Sequence, residues 1–236
     1  MIDRNRLIDV FSKFGVTLNE IQAERFDKYA QLLVEWNEKI NLTAITEAEE
    51  IIVKHFADSV MPFSMLDLPD NCSVIDVGTG AGFPSCPLKI CRDDIKITLL
   101  DSLNKRIHFL EEVSNILELN AACIHGRAEE CGQKPSMREK FDIATARAVA
   151  GLPELCEYCL PFVKKGGMFV ALKGSSGREE LSKADNAIKL LGGEIKNCKE
   201  YSLDNGDTRT LIVIKKISQT PTKYPRNHGA MTKKPL

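Results

Sequence analysis

Ser73-Val-Ile-Asp-Val-Gly-Thr-Gly-Ala-Gly82 is a short apolar run that ends in an acid and then in three glycines at alternate positions. Val74, Ile75 and Val77 suit a buried parallel strand. Gly78, Gly80 and Gly82 let the backbone turn tightly and approach a ligand where a Cβ would collide. After an intervening helical stretch, Ile95-Lys-Ile-Thr-Leu-Leu100 reads as a second strand and ends in Asp101, 19 residues after Gly82. That is close to the roughly 20-residue offset at which a carboxylate meets ribose hydroxyls. Strand, glycine turn and distant acid together mark a nucleotide-type cofactor site. The spacing is Gly-x-Gly-x-Gly and not the dinucleotide pattern Gly-x-Gly-x-x-Gly, so a ligand without a pyrophosphate is expected.

Outward from this stretch, strands and helices alternate. Strands are expected at 73–77, 95–100, 121–125, 141–146, 167–172, 194–202 and 208–217, and helices at about 84–91, 103–119, 153–163 and 177–191. This is an α/β pattern that specifies a mainly parallel seven-stranded sheet covered on both faces. Asp204-Asn-Gly-Asp207 joins the last two strands as a tight hairpin, giving a terminal antiparallel pair. Ahead of the sheet, Ile21, Phe26, Tyr29, Leu32, Leu33 and Trp36 recur at helical spacing between Asn19 and Ile40. Asn41 to Thr46 breaks that pattern, and Thr46 with Glu49 reads as a capping box opening a helix to about Phe63. The expected organisation is a helical extension over 1–65, a core over 66–217 and a basic tail over 218–236.

Hydrophobic residues make up 43% of the 236, enough for a proper core. A net charge of −1 argues against gripping nucleic acid by bulk electrostatics. The charge is unevenly spread: residues 1–70 carry 7 Lys or Arg against 13 Asp or Glu, whereas the tail has Lys223, Arg226, Lys233 and Lys234 and no acid. A polyanionic partner could use that tail, or it could be a solvated basic end. Eight cysteines without a signal peptide or a long apolar span point to a reducing cytoplasm. Cys156 and Cys159 form C-x-x-C inside a helical pattern and read as packing residues. The four histidines show no ligand spacing, so no metal is expected. Neither is membrane association, and the chain is expected to be a monomer.

With Asp76 two residues before its first glycine, the loop resembles motif I of the AdoMet-dependent methyltransferases, and the terminal hairpin matches their Rossmann-like layout. A ligand of an open parallel sheet sits beyond the carboxyl ends of the strands. The first strand delivers Asp76, Gly78, Gly80 and Gly82, then Phe83, which either packs on the cofactor or staples the next helix to the core. The second delivers Asp101 and Ser102, as ribose contacts or as a helix cap. The third is followed by Ala128 and Glu129, at an adenine or in a solvated turn. Arg147 ends the fourth, where methyl donor would meet acceptor, or else makes a structural ion pair.

That fourth-strand region lacks the Asp/Asn-Pro-Pro-aromatic sequence usual in exocyclic-amine methylation and the cysteine needed for pyrimidine C5. Guanine N7 already has an in-plane lone pair and no proton to lose, so its methylation needs alignment and electrostatics but no base. The chain resembles the RsmG (GidB) family, bacterial enzymes that methylate N7 of a guanine in 16S ribosomal RNA. The likeness rests on Trp36-Asn37, Asn41-Leu-Thr-Ala-Ile45, His55-Phe-Ala-Asp-Ser59, Asp76 to Pro84, Leu100-Asp-Ser102 with Lys105-Arg106, Thr145 to Arg147, Ala171-Leu-Lys-Gly174 and Lys223-Tyr-Pro-Arg226.

The resemblance implies a Rossmann-like class I AdoMet methyltransferase in the cytoplasm, acting on 16S rRNA or the 30S subunit. S-adenosyl-L-methionine would contact Gly78, Phe83, Ala128, Glu129 and Arg147, with Asp101 and Ser102 near the ribose. Arg147 and Lys173 are the candidate catalytic residues. Asn41, His55, Lys173 and Arg226 would face RNA or close the site, Lys173 through a phosphate or the cofactor carboxylate, although Asn41 also reads as a turn cap and His55 as a packed histidine.

Overall fold

In the computed structural model, which describes residues 1–236, the chain opens with α1 (Arg4–Ser12) and α2 (Glu20–Ile40). Asp3 caps α1 by accepting from the amides of Asn5 and Arg6, and Asn19 opens α2 in a reciprocal box with Gln22. Asn41 ends α2 in the left-handed region, φ 50°, which asparagine tolerates better than most side chains. The expected Thr46–Glu49 box does not form. Glu47, and not Thr46, precedes α3 (Ala48–Glu50) and makes no side-chain cap, while Glu49 pairs with Arg6 at 2.7 Å. Over Ile51–Ala57 the helix widens to π-type turns, with the Asp58 amide reaching back to the Val53 carbonyl, before α4 (Asp58–Ser64) resumes the ordinary pitch. Such π-type turns occur frequently at functional sites.

The rest of the chain alternates: β1 (Ser73–Val77), α5 (Ser85–Cys91), β2 (Lys96–Asp101), α6 (Asn104–Ile116), β3 (Ala122–His125), α7 (Ala128–Cys131), β4 (Phe141–Arg147), α8 (Leu152–Cys159), β5 (Val163–Lys173), α9 (Gly177–Leu190), β6 (Gly193–Ser202) and β7 (Thr208–Lys216). The helix expected over 153–163 stops early. Pro161 cannot continue the ladder, so Leu160–Phe162 makes one tighter turn and β5 begins at once. Seven strands lie in the order β3-β2-β1-β4-β5-β7-β6, parallel except for β7, which runs antiparallel to both β5 and β6. The expected α/β sheet and its terminal hairpin are present.

Period-2 alternation divides the core between the two faces. Val74, Leu99, Ile143, Val170 and Leu211 point to one face, where α2, α6 and the π-type segment pack, and their neighbours Ile75, Leu100, Ala144, Ala171 and Ile212 point to the other, under α8 and α9. On the first face an aromatic chain runs from Phe11 through Phe26 and Phe56 to Tyr29 and Phe83, with ring centroids 4.8 to 6.2 Å apart. Each fully buried phenyl ring contributes about 2 kcal/mol of transfer free energy. The helical extension is thereby fastened to the core by apolar burial.

The tail, expected as a basic end, is folded. It crosses the second face, buries Thr220, Tyr224 and Met231, and finishes in α10 (His228–Lys233), capped by Asn227. No helix is long and apolar enough to cross a membrane.

Candidate active site

Strand order reverses at β1, with β2 on one side and β4 on the other, and a ligand crevice is expected beyond the strand ends there. A cleft of about 500 Å³ occupies that position. Gly78, Asp101, Ser102, Ala128 and Glu129 line it, five of the expected cofactor residues brought together from three strand ends. Asp101 is buried and triply engaged: Oδ2 accepts from the Gly80 amide and Oδ1 from the Leu103 amide, both at 2.9 Å, and Arg106 donates to Oδ2 at 3.4 Å. It ties the glycine turn to the start of α6 while facing the cleft. Gly80 has φ +60° and open space where a Cβ would stand, so the loop backbone is bare on that side.

The other expected cofactor residues sit elsewhere. Gly82 is a packing position: with φ +91°, a Cβ there would lie 2.5 Å from the Tyr29 hydroxyl and 2.7 Å from Cys86 Sγ. Tyr29 donates to the Ala81 carbonyl, so α2 holds the loop from behind. Asp76 is wholly buried beneath the loop, where Oδ2 accepts from the Ser85 amide at 3.1 Å and burial pushes the carboxyl up to about 7. Its Oδ1 and the hydroxyls of Thr79 and Ser85 have no hydrogen-bond partner. Phe83 turns inward onto Tyr29 and His55.

A second cavity, of about 320 Å³, adjoins the first. Four consecutive residues divide them: Arg147 and Ala148 line the second, Val149 and Ala150 the first. Ala148 is left-handed at φ 56°, a conformation that costs a non-glycine residue about 1 kcal/mol. Arg147 lies over the Phe83 ring, its Cζ 4.9 Å from the centroid, and donates to Asp58 at 3.2 Å and to the Lys54 carbonyl, in the π-type segment, at 3.3 Å. Asp58 also meets Arg209 at 3.3 Å and Tyr201 at 3.4 Å.

His55 stacks on Phe83 with centroids 4.4 Å apart, and its tautomer follows from its partners. Nδ1 is 3.4 Å from an Arg147 nitrogen, which can only donate, so Nδ1 carries the lone pair. The proton is then on Nε2, which donates to Thr43 Oγ1 at 2.9 Å. Burial first, and the Arg147 charge second, hold the imidazole down to about 3. His55 is neutral at physiological pH and has no free lone pair to act as a base.

Lys173, Asn41 and Arg226 differ in accessibility. Lys173 is nearly buried, bonded to Glu180 at 2.7 Å and to the Ala150 carbonyl at 2.8 Å, so it anchors the turn between the two cavities. Asn41 is exposed at the end of α2. Arg226 is turned inward: it forks onto the buried carboxylate of Glu157 at 2.6 and 2.9 Å and gives its remaining nitrogen to the Lys234 carbonyl.

Residues 22–211 match the model of the family GidB, rRNA small subunit methyltransferase G. The chain belongs to this family. It is 52% identical to the ribosomal RNA small subunit methyltransferase G of Alkaliphilus metalliredigens, covering 98% of this chain and 97% of that one. It is 50% identical to the protein of the same name from Bacillus subtilis, over 94% of each. Among solved structures, a SAM dependent methyltransferase from Aquifex aeolicus superposes with a TM-score of 0.56 at 16% identity over 74% of this chain and 96% of that one. The fibrillarin pre-rRNA processing protein of Methanococcus jannaschii superposes at 0.53, with 16% identity over 69% and 74%. At these identities the likeness is one of fold, and it is the Rossmann-like methyltransferase fold expected from the alternation of elements.

For a GidB-family chain, the cleft also contains residues that the motifs do not single out. Glu154 and Tyr158 of α8 and His228 and Thr232 of α10 complete its lining. Asp58 and Arg209 likewise complete the second cavity. His55-Phe-Ala-Asp-Ser59 contained a signal for Asp58, since a carboxylate one helical turn from a histidine shares its face. For the tail residues the sequence carries no local signal.

Proposed function

We propose that this chain transfers the methyl group of S-adenosyl-L-methionine to N7 of a guanine in small-subunit ribosomal RNA. A cleft of about 500 Å³ lined by the buried Asp101 carboxylate, Ser102 and the Gly78 backbone fits a nucleoside-bearing cofactor. When bound, that cofactor supplies an electrophilic methyl on sulfonium. Family membership supports the rRNA substrate. The choice of N7 rests on the state of His55: the one imidazole at the second cavity is neutral, with Nδ1 occupied by Arg147. A site without a free base suits an acceptor that loses no proton. Arg147, held by Asp58 and two carbonyls over Phe83, presents fixed positive charge beside the acceptor cavity, where it can orient the base and favour electron-rich purine oxygen and nitrogen. Lys173 keeps the Arg147–Ala150 turn in place through Ala150.

The test is transfer of labelled methyl from S-adenosyl-L-methionine to 30S subunits and to free 16S rRNA from cells lacking the enzyme, mapped by scission specific to N7-methylguanine. One scission site is expected, and Arg147→Ala should lower the transfer rate about 100-fold while keeping the fold. Label in RNA without scission would overturn the N7 assignment, and no label in RNA would overturn the substrate.

A further inference from the structure

The structure assigns the C-terminal segment, Ser218 to Leu236, a place in the enzyme's chemistry: we propose that it is the adenine-side wall of the cofactor cleft, positioned by Arg226 acting through Glu157. This rests on reading the cleft as the S-adenosyl-L-methionine site. Asp101 at the end of β2 marks the ribose position. Beyond it the cleft continues past Ala128 and Glu129 to a polar cluster shared by α8 and α10. There the Tyr158 hydroxyl is 2.7 Å from His228 Nδ1 and 3.1 Å from a Glu154 oxygen, and Thr232 reaches the same oxygen at 3.4 Å. Adenine offers an amino donor and ring-nitrogen acceptors, and a carboxylate, two hydroxyls and an imidazole complement both.

Polar bonds hold this wall in place. Glu157, 1% exposed, accepts three times from Arg226: from its amide at 2.8 Å and from the guanidinium at both oxygens. From the core, Arg138 donates to the carbonyls of Thr220 and Tyr224 at 2.7 and 2.8 Å. The fork of Arg226 is used inside the protein, with its last nitrogen on the Lys234 carbonyl, so its bidentate face is closed to a phosphate. Its basic character belongs to the architecture of the cleft. RNA contacts from the tail are left to exposed lysines such as Lys223 and Lys233.

The experiment measures S-adenosylhomocysteine affinity calorimetrically, without RNA, for the wild type, Arg226→Ala, Arg226→Lys and His228→Ala, and separately the KM values for S-adenosyl-L-methionine and for 30S subunits. Arg226→Ala should weaken S-adenosylhomocysteine and raise the cofactor KM about tenfold, the scale of a lost charged hydrogen bond, with the 30S KM unchanged. Arg226→Lys should recover only part, because an ammonium cannot reproduce the fork. Methylthioadenosine, which lacks the amino-acid end, should lose the same factor. Normal cofactor affinity with weakened 30S binding would overturn the assignment and return Arg226 to RNA. Should Arg226→Ala fail to fold, His228→Ala decides, since that imidazole is 56% exposed and its removal leaves the core intact: unchanged affinity there overturns the wall. A wild type that binds no S-adenosylhomocysteine overturns the cofactor reading itself, an outcome distinct from equal affinities in wild type and variants.

Discussion

The two ends of the chain do parallel jobs by opposite means. The N-terminal extension delivers Lys54, His55 and Asp58 to the Arg147 cavity, and the C-terminal segment delivers His228 and Thr232 to the Asp101 cleft. The extension is fastened by stacked and tilted rings, from Phe11 to Phe83, on one face of the sheet. The tail buries Tyr224 and Met231 on the other face and is further fastened there by forks, Arg226 on Glu157 and Arg138 on backbone carbonyls. Apolar burial is non-directional and tolerates small shifts. A guanidinium fork fixes angle as well as distance. The difference teaches that the Arg147 side is welded to the core by packed rings, whereas the Asp101 side adds directional bonds, each removable by a single substitution, to the burial of Tyr224 and Met231.

The strongest way to break the apolar weld is at its contact with the glycine loop. Gly82→Ala places a Cβ within 2.7 Å of both Tyr29 Oη and Cys86 Sγ at φ +91°. Left-handed strain and overpacking together should lower unfolding free energy by about 3 kcal/mol. Urea denaturation measures it, and a loss below about 1 kcal/mol would mean that α2 does not clamp the loop. Combining the change with Tyr29→Phe sharpens the point. Removing the hydroxyl opens room for the new methyl, so the double variant should lose less than the sum of the two singles.

A second break uses protons. His55 is depressed from an ordinary value of 6.5 to about 3, so the unfolded chain binds a proton that the folded chain refuses across that interval. Stability from this group is complete above pH 6.5 and drains away as pH falls toward 3, with a slope of up to about 1.4 kcal/mol per pH unit. At pH 5 the deficit is about 2 kcal/mol. His55→Gln should flatten that part of the acid limb, read as the difference between wild-type and variant stability from pH 7 to 4. Parallel curves would show that the imidazole is not buried beside Arg147.

The same contrast explains what was legible in the sequence. The sheet could be read because each strand declares itself locally, through period-2 burial and glycine or acid at its end. The loop and Asp101 followed from spacing for the same reason, and the Ala128–Glu129 turn from the methyltransferase resemblance, which implies a cofactor contact after the third strand. Gly82 packs against Tyr29 and Phe83 takes the inward of its two readings, because the pattern cannot distinguish a glycine that admits a ligand from one that admits a tyrosine. The tail escaped because its fold depends on Arg226 finding Glu157, 69 residues away, and Arg138 finding Tyr224, 86 away. Pairings at such distance leave no periodic trace. The π-type turns were invisible too, since Ile51 to Ala57 reads as ordinary amphipathic helix while the deciding partner, Arg147, lies on β4.

The smallest expected effect concerns the bend after α2, where Asn41-Leu-Thr-Ala-Ile45 reaches the acceptor cavity through one hydroxyl. Thr43 Oγ1 accepts from the Ile45 amide at 3.0 Å and meets His55 Nε2 at 2.9 Å, so it both closes the turn and receives the imidazole proton. Thr43→Val keeps the shape and leaves that buried N–H without a partner, which should cost about 1 kcal/mol. Thermal unfolding provides the stability, and nitrogen chemical shifts of the His55 ring report the tautomer. Because Arg147 still denies Nδ1 a proton, Nε2 should stay protonated in the variant. A shift to the Nδ1–H form would show that Thr43, and not the arginine, sets the state of the imidazole, which would remove the basis for reading His55 as closed to base catalysis.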